Sequence, residues 1–356
     1  MKAAFSEKEF DAAKQTARQK GGKNMNPLTK PRVPSLMELC EKEQILAPCI
    51  WDCRTAHAAE LAGFKAILLS GGELAESVCG VPDIGLITAD DLVQSAARIS
   101  QYSVLPVIVD ADDGFGDTPL AVYRLIKRLI EVGAKGCTLD DTTGIRGWNR
   151  WGSTYTKNHS EGKDDAKVLH QSSTRERFMA KIKAALKAAE GTDFVVIART
   201  ECKLESGLDE AILRCQMARE LGAPMTMINC IRTLDEAKKI AEQDKGHKMW
   251  PDIRSLNGVP DILLDDIGPM GFSFVTCHFF EKAMMYGASD FAKHIVADRT
   301  SVYSDQHTMG GMTKEEQRRW IDLGLDPWLD AEAVFTDLSE LRKKHPGELD
   351  GDPLAY

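Results

Sequence analysis

The segment Val107-Ile108-Val109-Asp110-Ala111-Asp112-Asp113-Gly114-Phe115-Gly116 ends an apolar run in three carboxylates and two glycines. Carboxylates end a buried strand only where they face a polar mouth, because an unpaired charge in an apolar interior is too costly. Asp110 and Asp112 stand at i and i+2, so a strand directs both to one side of the pleat. Oxygen donors paired in this way suit Mg²⁺, with Mn²⁺ as a substitute. Such an ion keeps several waters and leaves positions for a substrate oxygen. An acid-rich loop capping the helix that starts near Pro119 would use the same residues without a metal.

Other apolar runs end in the same way. Trp51 and Asp52 follow a run that stops at Ile50, while Ser70, Asp140, Arg199, Asn229 and Asp252 close or follow later ones. Arg199 is the hardest to explain by packing. A guanidinium at the end of an apolar strand needs an anionic partner, and it grips a carboxylate with two parallel bonds. Ser70-Gly71-Gly72 offers consecutive backbone N–H groups to an anion, since glycine lets the main chain come close, although two glycines also make a plain tight turn.

These residues are positioned by a regular alternation of short apolar runs and helical patterns, the pattern of βα units in a parallel sheet. The expected strands are 46–50, 66–70, 106–110, 136–140, 194–199, 225–229, 249–253 and 274–276, with helices over 119–131, 174–189 and 208–221 among those between them. Reactive residues at strand after strand mark the carboxyl-end face of a (β/α)₈ TIM barrel, an α/β fold. A dinucleotide-binding sheet would need G-x-G-x-x-G after its first strand, and none is present. The expected organisation is an N-terminal arm over 1–34 with a capping box at Ser6 and Glu9, a barrel over 35–289, and a C-terminal helical extension over 290–356. The segment 142–173 is too long for an ordinary βα loop and reads as a lid, with Gly144, Gly147 and Gly152 as pivots.

Composition narrows the function. The 356 residues accommodate one barrel of about 250 residues with extensions. A formal net charge of -9 argues against nucleic acid or an anionic membrane as partner, while allowing a local cationic pocket for an acidic small molecule. Nine cysteines without a CxxC pair read as reduced packing residues. The first residues lack the apolar core of a signal peptide, and no run approaches the roughly 18 apolar residues of a membrane span, so a cytoplasmic protein is expected.

Taken together in order, Ser70-Gly71-Gly72, Val81-Pro82-Asp83-Ile84-Gly85, Asp110 to Gly116 and Ile197-Ala198-Arg199-Thr200-Glu201 resemble the isocitrate lyase and phosphoenolpyruvate mutase superfamily over about Ser35 to Ala283. The resemblance implies a (β/α)₈ barrel in a homotetramer with an exchanged C-terminal helix. It also implies Mg²⁺ stabilising the enolate of a small 2-oxo acid. Asp110, Asp112 and Asp140 would hold the metal, the last through water, because the superfamily commonly has the longer Glu at that place. Asp83 would orient a metal-bound water. Trp51, Asp52, Ser70, Gly71, Gly72, Asn229 and Asp252 would line the substrate.

The lid departs from this pattern. Isocitrate and methylisocitrate lyases carry a Lys, Arg or Lys, Cys, Gly, His run in the lid, where the cysteine moves a proton. Here Arg146-Gly147-Trp148-Asn149-Arg150 stands in that place. Arg146 holds an anion but is a poor proton shuttle, and Trp148 has no acid. Tyr155, Lys157, His159 and His170 are the nearby alternatives. The expected reaction is cleavage or decarboxylation of a C–C bond in a small 2-oxo or 2-hydroxy di- or tricarboxylate. Arg199, Arg146 and Asp83 would be the catalytic residues. P–C chemistry on phosphonopyruvate or phosphoenolpyruvate is the second possibility, and a barrel that binds a metabolite without turnover the third.

Overall fold

The structure is a computed structural model that describes residues 30–144, 170–307 and 313–321, with isolated positions as far as 335. Its strands are β1 (Ile45–Ile50), β2 (Ile67–Leu69), β3 (Val107–Asp110), β4 (Gly136–Leu139), β5 (Thr142–Gly144), β6 (His170–Ser172), β7 (Val195–Thr200), β8 (Met225–Ile228), β9 (His247–Trp250), β10 (Ser255–Leu256), β11 (Val259–Pro260) and β12 (Phe272–Cys277). Eight of them close a barrel in the order β1, β12, β9, β8, β7, β4, β3, β2, and every pair in it is parallel. The fold is therefore the expected (β/α)₈ barrel. The remaining strands form two small antiparallel hairpins, β5 with β6 and β10 with β11.

Parallel strands covered on both faces need apolar side chains throughout, which is why β2 reads Ile-Leu-Leu and β3 Val-Ile-Val before its final Asp. The helices present a single apolar stripe. In Pro119–Glu131 the buried residues are Val122, Leu125, Ile126 and Leu129, at the i, i+3, i+4, i+7 spacing of one helical face. Thr118 caps its first turn, and Pro119 fits there because that N–H has no intrahelical partner. Capping boxes start Ala89–Tyr102 with Thr88 and Asp91, and Leu234–Gln243 with Thr233 and Glu236.

Helix Pro119–Glu131 has the bounds the periodicity predicts. Helix Arg175–Ala189 starts one residue later than expected because Thr174 is its cap. Two strands differ more. β9 begins at His247 and stops at Trp250, before Pro251, whose missing N–H cannot continue a ladder; β12 extends over Phe272–Cys277 rather than 274–276.

One compact unit comprises Val33–Ala56 and Phe64–Ala283 and contains the barrel; a second gathers His57–Gly63 with the chain from Met284 onward. Within the second, the His57 ring Nε2 lies 2.6 Å from the Arg319 carbonyl oxygen. Among the described residues no helix is long and apolar enough to cross a membrane. The nine cysteines are free thiols, six of them buried, and burial pushes Cys40 and Cys277 up to about 12.

Candidate active site

The loop after β3 is built to hold carboxylates at fixed places. Asp112 and Phe115 adopt left-handed φ values of 48° and 54°, strained for residues other than glycine. Gly114 has φ 91°, and a Cβ there would lie 2.5 Å from the Val122 side chain, so the turn needs glycine on both counts. The Asp140 amide donates to the Asp112 carbonyl at 2.7 Å, joining the ends of β3 and β4.

Arg199 lies at the centre of the acids. Its Nη1 donates to both Asp110 oxygens at 3.0 and 3.2 Å; Nε and Nη2 meet Glu201 Oε1 at 2.5 Å; Asp140 Oδ2 is 3.9 Å from Nε. Burial works against the guanidinium's charge. Glu201, Asp110, Asp140 and Asp112 outweigh it and hold the pKa well above its ordinary value. Asn229 closes the group, its amide donating to the two Glu201 oxygens at 2.8 and 2.6 Å. Thr138, beside Asp110 in the β3–β4 register, donates to Asp110 Oδ1 at 2.9 Å.

Asp140 is fully buried, and its Oδ1 accepts from the Thr142 backbone and hydroxyl at 2.9 and 2.6 Å. Its neighbour Asp141 serves the scaffold. Asp141 accepts from Thr200, the Glu201 amide and Arg214 at 2.6, 2.8 and 2.8 Å. Burial pushes its carboxyl up to about 6, which leaves it ionised at neutral pH opposite Arg214.

The Ser-Gly-Gly turn has an unexpected use. Ser70 caps the short helix Gly71–Leu74, its hydroxyl accepting from the Glu73 amide at 3.3 Å. A Cβ on Gly72 would lie 2.7 Å from Asp83 Oδ2, and one on Gly71 3.3 Å from Asp112 Oδ1. These glycines thus admit two carboxylates against the main chain. Trp51 is buried, and Asp52 is a helix cap, its Oδ1 accepting from the Thr55 amide at 2.8 Å and hydroxyl at 2.9 Å. Asp252 faces His278 and Arg254, at 3.1 and 2.9 Å. Arg146, Tyr155, Lys157 and His159 lie outside the described residues; of the expected lid, residues 142–144 and 170–173 are described, and β5 pairs with β6 there, His170 opposite Gly144.

Glu201, Glu73 and His278 also reach the mouth, and the sequence assigns none of them a role. Glu201 was visible as the second residue of an Arg-x-Glu pair, the spacing that points two side chains to one side of a strand. His278 had no such signal, because its partner Asp252 is 26 residues away.

Among the described residues no three carboxylate, histidine or cysteine side chains converge closely enough to ligate one ion directly. The donor chemistry nevertheless fits a magnesium ion held mainly through its own waters. Asp110, Asp112 and Asp140 supply hard oxygen on two adjacent strand ends, and Mg²⁺ is commonly held by one or two carboxylates with the rest of its shell water.

The arrangement is a closed parallel barrel whose carboxyl-end mouth gathers acids around one arginine, on the face where barrels of this kind carry their sites. Residues 36–294 match the phosphoenolpyruvate phosphomutase family, and the chain belongs to that family. It is 36% identical over 187 residues to the 2-methylisocitrate lyase of Escherichia coli, covering 52% of this chain and 58% of that protein. The match to the chloroplastic carboxyvinyl-carboxyphosphonate phosphorylmutase of Arabidopsis thaliana is 29% over 304 residues, 84% of this chain and 83% of that one. A crystal structure of 2,3-dimethylmalate lyase shares the fold with a TM-score of 0.70 at 23% identity, covering 86% of this chain and all of that one.

Proposed function

We propose that the protein is a Mg²⁺-dependent lyase that cleaves a C–C bond, by retro-aldol reaction or decarboxylation, in a small 2-oxo or 2-hydroxy di- or tricarboxylate. The observation that carries this reading is Arg199, a buried cation surrounded by the acids of β3, β4 and the end of β7 at the barrel mouth. A guanidinium has five N–H donors, so the contacts to Asp110 and Glu201 leave hydrogens on Nη1 and Nη2 for a substrate carboxylate. Asp110 and Glu201 fix its plane, and Asn229 fixes Glu201, so a bound carboxylate meets a fork already oriented.

Asp110, Asp112 and Asp140 would hold the ion, and Asp83 would orient its water. A divalent cation, when bound there, supplies Lewis acidity for a developing enolate and a template for the substrate. The backbone N–H groups of the Ser70-Gly71-Gly72 turn, and not the Ser70 hydroxyl that caps the helix, would carry the other end of the substrate beside the Asp83 and Asp112 carboxylates. The pattern of motifs resembles methylisocitrate lyases without the Cys-containing lid run, and Arg146 would hold an anion. P–C chemistry remains the second reading, supported by the length of the match to the plant phosphorylmutase.

We also propose a cytoplasmic homotetramer. The helix Phe280–Asp298 exposes Met285, Tyr286 and Val296, apolar surface of a kind that subunit contacts cover. Light scattering of the purified chain tests this, and a monomer would refute it. For the reaction, a panel of 2-oxo and 2-hydroxy acids with Mg²⁺ is incubated while pyruvate, glyoxylate and phosphate are followed separately. Release of pyruvate or glyoxylate supports the lyase, phosphate the second reading. No turnover of any member would leave a metabolite-binding barrel.

A further inference from the structure

The barrel mouth carries a second set of ionisable groups, on the ends of β2, β9 and β12, separate from the Arg199 cluster. His278 follows β12 directly, and its side chain is 39% exposed. Its Nδ1 lies 3.1 Å from Asp252 Oδ1, and its backbone N–H donates to the same oxygen at 3.3 Å. An ionised carboxylate only accepts, so Nδ1 carries the hydrogen and Nε2 is the nitrogen left to meet a ligand. Asp252 is itself held. Arg254 donates to its other oxygen at 2.9 Å, and Trp250 Nε1 donates to its carbonyl at 3.0 Å.

Glu73 is the third member. It is 4% exposed, and neither carboxylate oxygen has a hydrogen-bond partner among the described residues. A buried carboxyl without a partner is costly, and a fold seldom keeps one where an apolar residue of similar size would serve. Burial pushes it up to about 7, and of the surrounding charges His278 acts on it most strongly, opposed by Glu281, Asp252 and Glu76. Burial works against protonation of His278, yet its pKa is raised by the bond to Asp252 and by the charges of Asp252 and Glu73, with Arg254 opposing. Glu73, Asp252 and His278 follow β2, β9 and β12, and Asp110 and Arg199 lie at the ends of β3 and β7, so both clusters sit at the carboxyl end of one closed barrel.

We propose that His278, aimed by Asp252 and backed by the buried carboxyl of Glu73, is the proton-transfer group for the carbon that becomes the enolate. This rests on the enolate reading above, and it gives that chemistry the acid or base that Trp148 cannot provide. In the forward direction the C–C bond breaks and its electron pair remains on the enolate, while the other fragment leaves as CO₂ or, in the retro-aldol case, as a carbonyl whose hydroxyl proton passes to solvent. The imidazolium Nε2–H then gives its proton to the enolate carbon, and neutral imidazole is left. In reverse, neutral Nε2 takes a proton from carbon and the C–H pair becomes the enolate double bond. Asp252 and Glu73 are positioning residues. Asp252 holds the tautomer, and the charges of both favour the imidazolium.

The reverse step is testable without knowing the substrate. The full chain with Mg²⁺ and pyruvate in D₂O is followed by NMR for loss of the methyl proton signal. Wild type is expected to exchange, and His278→Gln to slow exchange about 100-fold or more while keeping wild-type pyruvate affinity and melting temperature. The wild-type rate should rise with pH as His278 becomes neutral. Asp252→Asn and Glu73→Gln should both move that rise to lower pH, a shift that a purely structural role would not produce. Wild-type exchange in His278→Gln overturns the proposal and leaves the lyase reading standing. Wild-type protein that turns over an acid of the panel without exchanging pyruvate also overturns the proposal alone. Absence of both exchange and turnover overturns the lyase reading together with it.

Discussion

The two sides of the barrel mouth handle buried charge in opposite ways. On the side of β3, β4, β7 and β8, Arg199, Asp110, Glu201 and Asn229 satisfy one another, so each side chain has little freedom. On the side of β2, β9 and β12, Asp252 is held firmly but Glu73 has no hydrogen-bond partner and His278 is partly exposed. A saturated network stays ionised and rigid, which suits binding a charged substrate and a cation. A cluster with an unpartnered carboxyl and an imidazole can change protonation near neutral pH, which suits moving a proton.

The largest expected effect is on the saturated side. Asp110→Ala should abolish Mg²⁺-dependent turnover and weaken Mg²⁺ binding measured by calorimetry, whereas Asp140→Ala should weaken binding less. Unchanged activity of Asp110→Ala, or activity that survives exhaustive chelation, would remove the cation from this side. Next in size is Arg199→Lys, which keeps a charge but loses the fork. Losing a charge-assisted contact costs about 1.5–3 kcal/mol, or roughly one to two decades in kcat/KM. A fully active Lys variant would make the residue structural.

The opposite side should reveal itself through stability. Glu73 titrates at about 7 in the fold against an ordinary 4.5, so its protonated form is the one the fold favours. Its stabilising contribution is full below about pH 4.5 and is lost as pH rises through 7. Glu73→Gln, which keeps the shape without the charge, should therefore be more stable than wild type at pH 8 by roughly 3 kcal/mol, with the gap closing towards pH 4.5. Urea denaturation across that range measures it, and a gap that does not vary with pH would contradict an unpartnered acid. The smallest effect is Asn229→Ala. Glu201 keeps Arg199, so the loss is about 1 kcal/mol, seen as roughly a fivefold fall in kcat/KM with Mg²⁺ affinity unchanged.

The barrel was legible because its strands are written locally. Runs such as Val107-Ile108-Val109 and Ile67-Leu68-Leu69 need cover on both faces, and the helices between them repeat an apolar face every three to four residues. Asp110 at the end of β3 and Arg199 near the end of β7 were placed by the same rule, whereas Asp112, expected beside Asp110 on one side of the pleat, lies past β3 in a turn with a left-handed φ of 48°. Asp52 and Ser70 show where that rule stops. Both follow strands as expected, yet a side chain at a strand end can turn towards a helix N-terminus as readily as towards the mouth, and both cap helices here.

The sequence by itself determined the alternation of strands and helices and the parallel barrel they form, because each depends on residue type and short spacing. Only the tertiary structure decided which charges meet. Arg199 pairs with Asp110 across 89 residues, Asp252 meets His278 across 26, Gly72 is open enough to admit Asp83, and Glu73 is enclosed without a partner. Closing a sheet into a barrel brings strand ends together regardless of their distance along the chain, and the depth at which each side chain is then buried sets whether its charge is held or free to change.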